Sequence, residues 1–335
     1  MDLSTEYLGL KLKSPLVVSS SPLTESVESI LRLEEAGAGA VVLPSIFEEQ
    51  LALEGNALDR DISRGTESYA ESLSYLPAYD DYRQGQDAYL SVLRQARTRA
   101  SIPIIASLNG VTVGGWVRFA KEMEQAGADA LELNTYSLVT DPYVAGIAVE
   151  QGLLDLVREV KKNTRLPVAV KLSPQYTSIP HLARKLDETG ADALVLFNRF
   201  YQPDFDIENL GVVPRLTLSR PEELLPRLHW VAILYGNLRA QLAVTGGVHS
   251  AEDVLKSIMA GAQVAMTASE LLAQGAERLT SIEADLVEWM DEHEYESIDQ
   301  MRGSLSRRSV PDASPFERGN YIKTLSSYTL RAPSS

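Results

Sequence analysis

The 335-residue chain is 44% hydrophobic and 23% charged, with a formal charge of −15. That composition can bury a sizeable core but argues against nucleic acid as a partner, because binding a polyphosphate rests on Lys and Arg density. The chain has no cysteine, which excludes disulfides, a thiolate nucleophile and any Cys-held zinc or iron–sulfur cluster within it.

The N-terminus, M-D-L-S-T-E-Y-L, has neither a basic n-region nor an apolar run, and no later run reaches spanning length. The expectation is a cytoplasmic protein without membrane contact. A first strand over 15–20 leads to a helical pattern over 25–35. Next comes Ala36-Gly37-Ala38-Gly39, followed by the apolar run Ala40-Val41-Val42-Leu43. The same phrase, a helix ending in Gly-Ala and then a short β-type run, recurs at Ala126-Gly127-Ala128, Thr189-Gly190-Ala191 and Ala260-Gly261-Ala262. Glycine closes the helix because it tolerates the left-handed cap conformation, and the apolar run after it reads as a buried parallel strand.

Strands over 104–108, 168–172 and 242–246 are entered through polar or Pro-marked turns. Together these make eight short strands. Helical patterns over 84–99, 115–125, 152–162, 179–188, 224–239, 251–259 and 269–274 separate or follow them. Alternating β and α without return strands predicts a parallel sheet, and eight units predict closure into a (β/α)8 TIM barrel. The competing architecture is an open doubly wound sheet; no G-x-G-x-x-G follows the first strand to support it.

Two connections, 44–82 and 198–221, are too long for plain barrel turns. Both leave from strand C-termini, where barrels keep their chemistry, and read as lids. The expected organisation is one domain, with a barrel core over about 14–275 and a C-terminal extension over about 276–335. Within the extension, 281–293 reads as an amphipathic helix, and the basic, Ser-rich tail from 302 packs across the outside or into a subunit contact.

The strand Ala130-Leu131-Glu132-Leu133 ends in polar Asn134 and Ser137, and Val168-Ala169-Val170 exits through Lys171. We read these two strand ends as neighbours facing one site. A buried ammonium is costly unless an acceptor meets it; the competing reading of Lys171 is a lysine snorkelling to a surface carboxylate. For Asn134 and Ser137 the alternative is ordinary turn chemistry. Ser137 as a base needs a relay to solvent or a very reactive substrate proton. Gly246-Gly247, with Ala268 and Ser269 after the last strand, reads as a phosphate cup or as two tight turns. Arg199 either clamps a carboxylate or lies on a surface loop. The four histidines show no metal spacing, and His249 alone falls near the expected rim.

Across its length, from P-L-V-V-S-S-S at Pro15 to S-I-D-Q-M-R-G at Ser297, the chain resembles the dihydroorotate dehydrogenase family, and its soluble class more closely than its membrane-bound one. The most specific pieces are E-L-N-T-Y-S, V-A-V-K-L-S-P, V-T-G-G-V, T-A-S at Thr267 and A-S-L-N-G after the third strand. The resemblance implies FMN as cofactor, with Lys171 at the N1/C2=O edge of the flavin and Ser19, Ser20 and Ser21 along the ring. It places Ser45, Ser107, Asn134 and Phe197 among the flavin contacts, and Gly246, Gly247, Ala268 and Ser269 around the phosphate. Ser137 falls on the catalytic base, which is Cys in the soluble class and Ser in the membrane class. Ser72, Asn134, Asn198 and Arg199 fall on the substrate side.

The implied reaction is hydride transfer from a saturated ring carbon of dihydroorotate, or a similar cyclic amide, while Ser137 takes the neighbouring proton. The electron acceptor is then a soluble molecule or a partner subunit, and the soluble relatives imply a homodimer.

The chain departs from the family pattern at four places. Pro44 replaces a lysine, Leu138-Val139 replaces Pro-Asn after the base, Ser72 replaces an asparagine, and Arg199 replaces Ser or Thr. The resemblance therefore implies a flavin shell that is largely retained and an orotate shell that is altered. That leaves open an FMN enzyme with another substrate, a flavin-free phosphate-binding lyase or isomerase using Lys171, or a non-catalytic flavin-binding protein.

Overall fold

The computed structural model describes residues 1–48, 85–110, 112–136 and 138–327. Eight parallel strands close into a barrel: β3 (Leu16–Val18), β4 (Ala40–Phe47), β5 (Ile104–Asn109), β6 (Ala130–Asn134), β7 (Val168–Leu172), β8 (Ala193–Leu196), β11 (Gln241–Thr245) and β12 (Val264–Thr267). They pair in chain order, and β12 closes onto β3. The helices of the repeat are α1 (Val27–Glu35), α2 (Gln86–Arg99), α3 (Val113–Gln125), α4 (Gly146–Asn163), α5 (Ile179–Thr189), α6 (Leu224–Leu234), α7 (Ala251–Ala260) and α8 (Ser269–Gln274). The expected TIM barrel is therefore present.

Alternation along each strand divides the core in two. Val17, Val42, Ile105, Ala130, Ala169, Val195, Ala243 and Val264 fill the barrel interior, while Val18, Val41, Leu131, Val170, Leu194 and Val244 pack outward under the helices. The period of two also decides which side chains reach the site. With Ala130 and Ala169 inward, Glu132, Asn134 and Lys171 must face inward too.

Several boundaries differ from the sequence expectation, for local reasons. Helix α3 begins two residues early because the Thr112 side chain accepts from the Gly115 N–H, a side-chain cap at its N-terminus. Helix α6 stops at Leu234, short of 239, because the chain turns at Gly236 with φ +77. The C-terminal helix α9 runs Arg278–Glu292 and buries Leu279, Ile282, Leu286 and Met290. Beyond the short α10 (Ile298–Met301), the tail crosses the outside of the barrel. There the N–H groups of Gly303, Leu305 and Arg307 donate to carbonyls of Ile258, Met259 and Ala232. Residues 319–327 form α11.

Two hairpins lie outside the sequence expectation. Strands β9 (Asp204–Asp206) and β10 (Gly211–Val213) pair antiparallel inside the long connection after β8. At the N-terminus β1 (Thr5–Tyr7) and β2 (Leu10–Leu12) turn through Leu8 and Gly9, both at positive φ. This hairpin delivers Tyr7, Leu8 and Leu12 into the interior cluster of the barrel. Among the described residues the buried Tyr7 hydroxyl has no hydrogen-bond partner, and burial, with the Glu132 carboxylate adding to it, pushes its phenol well above the ordinary range. An unsatisfied buried hydroxyl is costly, so Tyr7→Phe is expected to stabilise the protein by about 1 kcal/mol. Urea unfolding checks this; a destabilised variant would mean that the hydroxyl is bonded after all.

Candidate active site

The register places Asn134 opposite Lys171 across β6 and β7. Both point into the mouth of the barrel at the C-terminal ends of the strands, where barrels of this kind assemble their chemistry. Lys171 Nζ lies 3.3 Å from Glu132 Oε1, and the two side chains are 10% and 1% exposed. The ammonium is therefore not a surface lysine reaching for solvent: it is held inside the barrel by a carboxylate one layer below the rim.

A row of hydroxyls continues from Asn134 toward β4 and β5. Asn134 Nδ2 donates to Ser45 Oγ at 3.0 Å, and Ser45 Oγ meets Ser107 Oγ at 2.8 Å. Ser45 reaches this row because the β4–β5 register shifts between Val42 and Ser45, a bulge that re-aims the strand beyond it. Pro44 sits at that irregularity, where the absence of an N–H is tolerated. On the other side, Ser19 Oγ and Thr245 Oγ1 are 2.8 Å apart, which ties the β3 end to the β11 end. Among the described residues, two polar atoms at the mouth, Ser21 Oγ and Asn134 Oδ1, are buried with no partner.

These groups line one cleft of about 510 Å³. Ser19, Ser20, Ser21, Ser45, Asn134 and Lys171 contribute to it from the ends of β3, β4, β6 and β7. Phe197, Asn198 and Arg199 enter after β8, and the Leu196–Phe197 peptide is cis. Gly246, Gly247, Ala268 and Ser269 close the far end. Ser107 stands behind Ser45. Ser72 and Ser137 lie outside the described residues, so the proposed base and one proposed substrate contact have no described position.

Arg199 is in the cleft, but its fork is engaged: Nε and Nη2 each lie 3.0 Å from an oxygen of Glu223. The guanidinium also donates to the Thr217 and Leu218 carbonyls. It already clamps a carboxylate, one belonging to this chain.

The glycine pair turns at φ +90 and +84, which favours glycine at both positions. Ser219 buttresses it from the β8 connection. Gly247 N–H donates to Ser219 Oγ at 3.3 Å, and Ser219 N–H donates to Ser269 Oγ at 3.0 Å. His249 Nε2 lies 3.2 Å from Ser219 Oγ, and its Nδ1 lies 3.0 Å from Glu270, which also holds Arg278.

Sequence reasoning missed Glu132, Thr245, Ser219 and the wiring of His249. Glu132 had a signal, a lone acid at an inward position of an apolar strand. Ser219 had none, because its role depends on how a long connection folds back.

A closed parallel barrel with a cleft over the C-terminal ends of its strands defines a (β/α)8 barrel whose cleft lies where enzymes of this architecture keep their chemistry. The sequence comparisons give the family. The profile described as dihydroorotate dehydrogenase matches residues 2–290, and the chain belongs to the dihydroorotate dehydrogenase family, a family of oxidoreductases. The catalytic subunit of dihydroorotate dehydrogenase B (NAD(+)) from Thermoplasma acidophilum is 30% identical over 316 residues, covering 91% of this chain and 99% of that protein. The proteins of the same name from Thermoplasma volcanium and Desulforudis audaxviator are 28% and 31% identical, over 92% and 89% of this chain and 99% and 96% of their own lengths. Among the described residues no helix is long and apolar enough to cross a membrane.

Proposed function

We propose that the cleft binds FMN and that the protein oxidises dihydroorotate or a similar cyclic amide. The observation that carries this reading is the Asn134–Lys171 pair at the rim, where a buried ammonium stands across the register from an amide whose buried oxygen has no partner among the described residues. Polar atoms left unsatisfied in a built cleft call for a polar ligand. Ser19, Ser20, Ser21, Ser45, Asn134, Lys171 and Phe197 would hold the ring, with Ser107 supporting Ser45. Gly246, Gly247, Ala268 and Ser269 would take the phosphate, with backbone approach permitted by the glycines. Bound FMN supplies the hydride acceptor.

Lys171 sets a cation at the floor of the cleft, where it stabilises negative charge that arrives there. Glu132 holds that ammonium in place. Asn134 and Asn198 orient the cyclic amide from neighbouring strand ends. Ser137, three residues past Asn134, is proposed to take the proton from the substrate carbon adjacent to the one that loses hydride. Electrons then leave by way of a partner subunit or a soluble acceptor, a reading supported by relatives named as NAD(+)-linked catalytic subunits. A homodimer and a cytoplasmic location remain part of the proposal.

A second reading, the same FMN chemistry on a different substrate, is favoured by Pro44 in the cleft wall and by the Arg199 fork closed on Glu223. Anaerobic mixing with dihydroorotate separates the two. The first reading expects bleaching of the flavin bands, slowed about a hundredfold or more in Ser137→Ala. No bleaching over hours, while dithionite still reduces the flavin, would leave the second reading standing.

A further inference from the structure

Behind the glycine pair lies a buried cation that the cleft itself does not display. Arg227, on α6, is 8% exposed. Its Nε donates to the Thr245 carbonyl at 2.8 Å and its Nη1 to the Glu223 carbonyl. A Cβ added to Gly246 would lie 3.0 Å from Nη2, so the guanidinium packs against the backbone that turns around the cup. Among the described residues Arg227 forms no ion pair. The acid that acts on it electrostatically, Glu223, has both carboxylate oxygens on Arg199. The local sum is two guanidinium groups and one carboxylate.

A buried charge with only carbonyl partners is costly, and an anion across a thin backbone layer offsets that cost. The anion most in need of such help is a dianion entering a chain of formal charge −15, whose overall field opposes it. A phosphate monoester carries nearly two negative charges at neutral pH. Burial, partly opposed by Glu223 and reinforced by Arg199, holds the guanidinium below the ordinary arginine range. That direction is expected of a cation without a carboxylate of its own.

We infer that Arg227 is a positioning residue that supplies the counter-charge for a phosphate monoester at Gly246–Gly247, and so selects the phosphorylated form of the ligand over its dephosphorylated alcohol. This rests on the FMN reading for the identity of the ligand. FMN and riboflavin differ only in that phosphate and therefore make the test.

The protein stripped of flavin is titrated with each by fluorescence, as wild type, Arg227→Gln and Arg227→Lys. The expected result is that Arg227→Gln weakens FMN about tenfold or more and leaves riboflavin within about threefold of wild type. Arg227→Lys keeps the FMN-to-riboflavin ratio within about threefold. An equal loss of both ligands in Arg227→Gln would assign the arginine to packing and overturn the inference. Loss of the ratio in Arg227→Lys would overturn it as well, even if Arg227→Gln fails to fold.

If wild type binds neither flavin, the FMN reading fails, and inorganic phosphate alone decides on Arg227. Calorimetric phosphate binding present in wild type and lost in Arg227→Gln supports the inference; binding equal in both, or absent from both, overturns it.

Discussion

Replacing Lys171 with Met is expected to remove flavin reduction by substrate and to destabilise the protein by about 3 kcal/mol. Two separate physical effects produce these losses. The first is catalytic. The ammonium is the cation on the cleft floor, and removing a preorganised charge from a water-poor site costs on the order of a hundredfold to a thousandfold in rate. The second is structural. Glu132 is 1% exposed and pairs with Lys171, so the variant leaves a carboxylate inside the barrel without that counter-ion. A second substitution tells these effects apart. Combining Lys171→Met with Glu132→Leu removes both charges, and a buried pair replaced by apolar groups is near neutral in stability. The double variant is therefore expected to regain most of its urea midpoint while its anaerobic reduction stays lost. If the single variant were reduced at the wild-type rate, the assignment of Lys171 to the chemistry would fall. If the double variant stayed as unstable as the single one, Glu132 would have partners other than Lys171.

The same strands explain how far the site can be read from the sequence. The period of two in Ala130-Leu131-Glu132-Leu133-Asn134 and Val168-Ala169-Val170-Lys171 is local, and it correctly predicts two neighbouring strand ends with polar tips. The Gly-Ala phrase marks where helices stop, as at Gly190 with φ +101, and so the eight-unit count is legible. Contacts between distant segments are not. Nothing near Ser45 foretells that a register shift opposite β5 aims it at Ser107 and Asn134. Arg199 is equally ambiguous in sequence, since a guanidinium in a loop accepts any carboxylate the fold brings near, and here that is Glu223, twenty-four residues on. The N-terminal hairpin escapes a sequence reading because three-residue strands carry too little periodicity to register, although Leu8-Gly9 does turn the chain. Arg227 is legible only in three dimensions: in sequence it is one more basic residue on a helix.

The second large effect is expected at Gly247. Its φ is +84, and a Cβ there would lie 2.5 Å from the backbone nitrogen of Leu224, the first residue of α6. An alanine meets two penalties at once. The left-handed backbone costs about 1 kcal/mol for a residue with a Cβ. The contact cannot be relieved by rotating a side chain, because the atom it meets belongs to a helix backbone. Either the glycine turn opens or the start of α6 moves away, and both disturb the end of the cleft where Gly247 N–H, Ser219 and Ser269 are joined. Gly247→Ala is expected to lose about 3 kcal/mol of stability and to weaken FMN about a hundredfold, with riboflavin weakened less. Gly9→Ala is the matched control. Its φ is +71, yet none of the described residues lies within 4 Å of the added carbon, so it carries the backbone penalty alone and sits in the N-terminal hairpin away from the cleft. A Gly247→Ala protein that bound FMN as tightly as Gly9→Ala would show that the turn is ordinary structure and that the phosphate end of the site lies elsewhere.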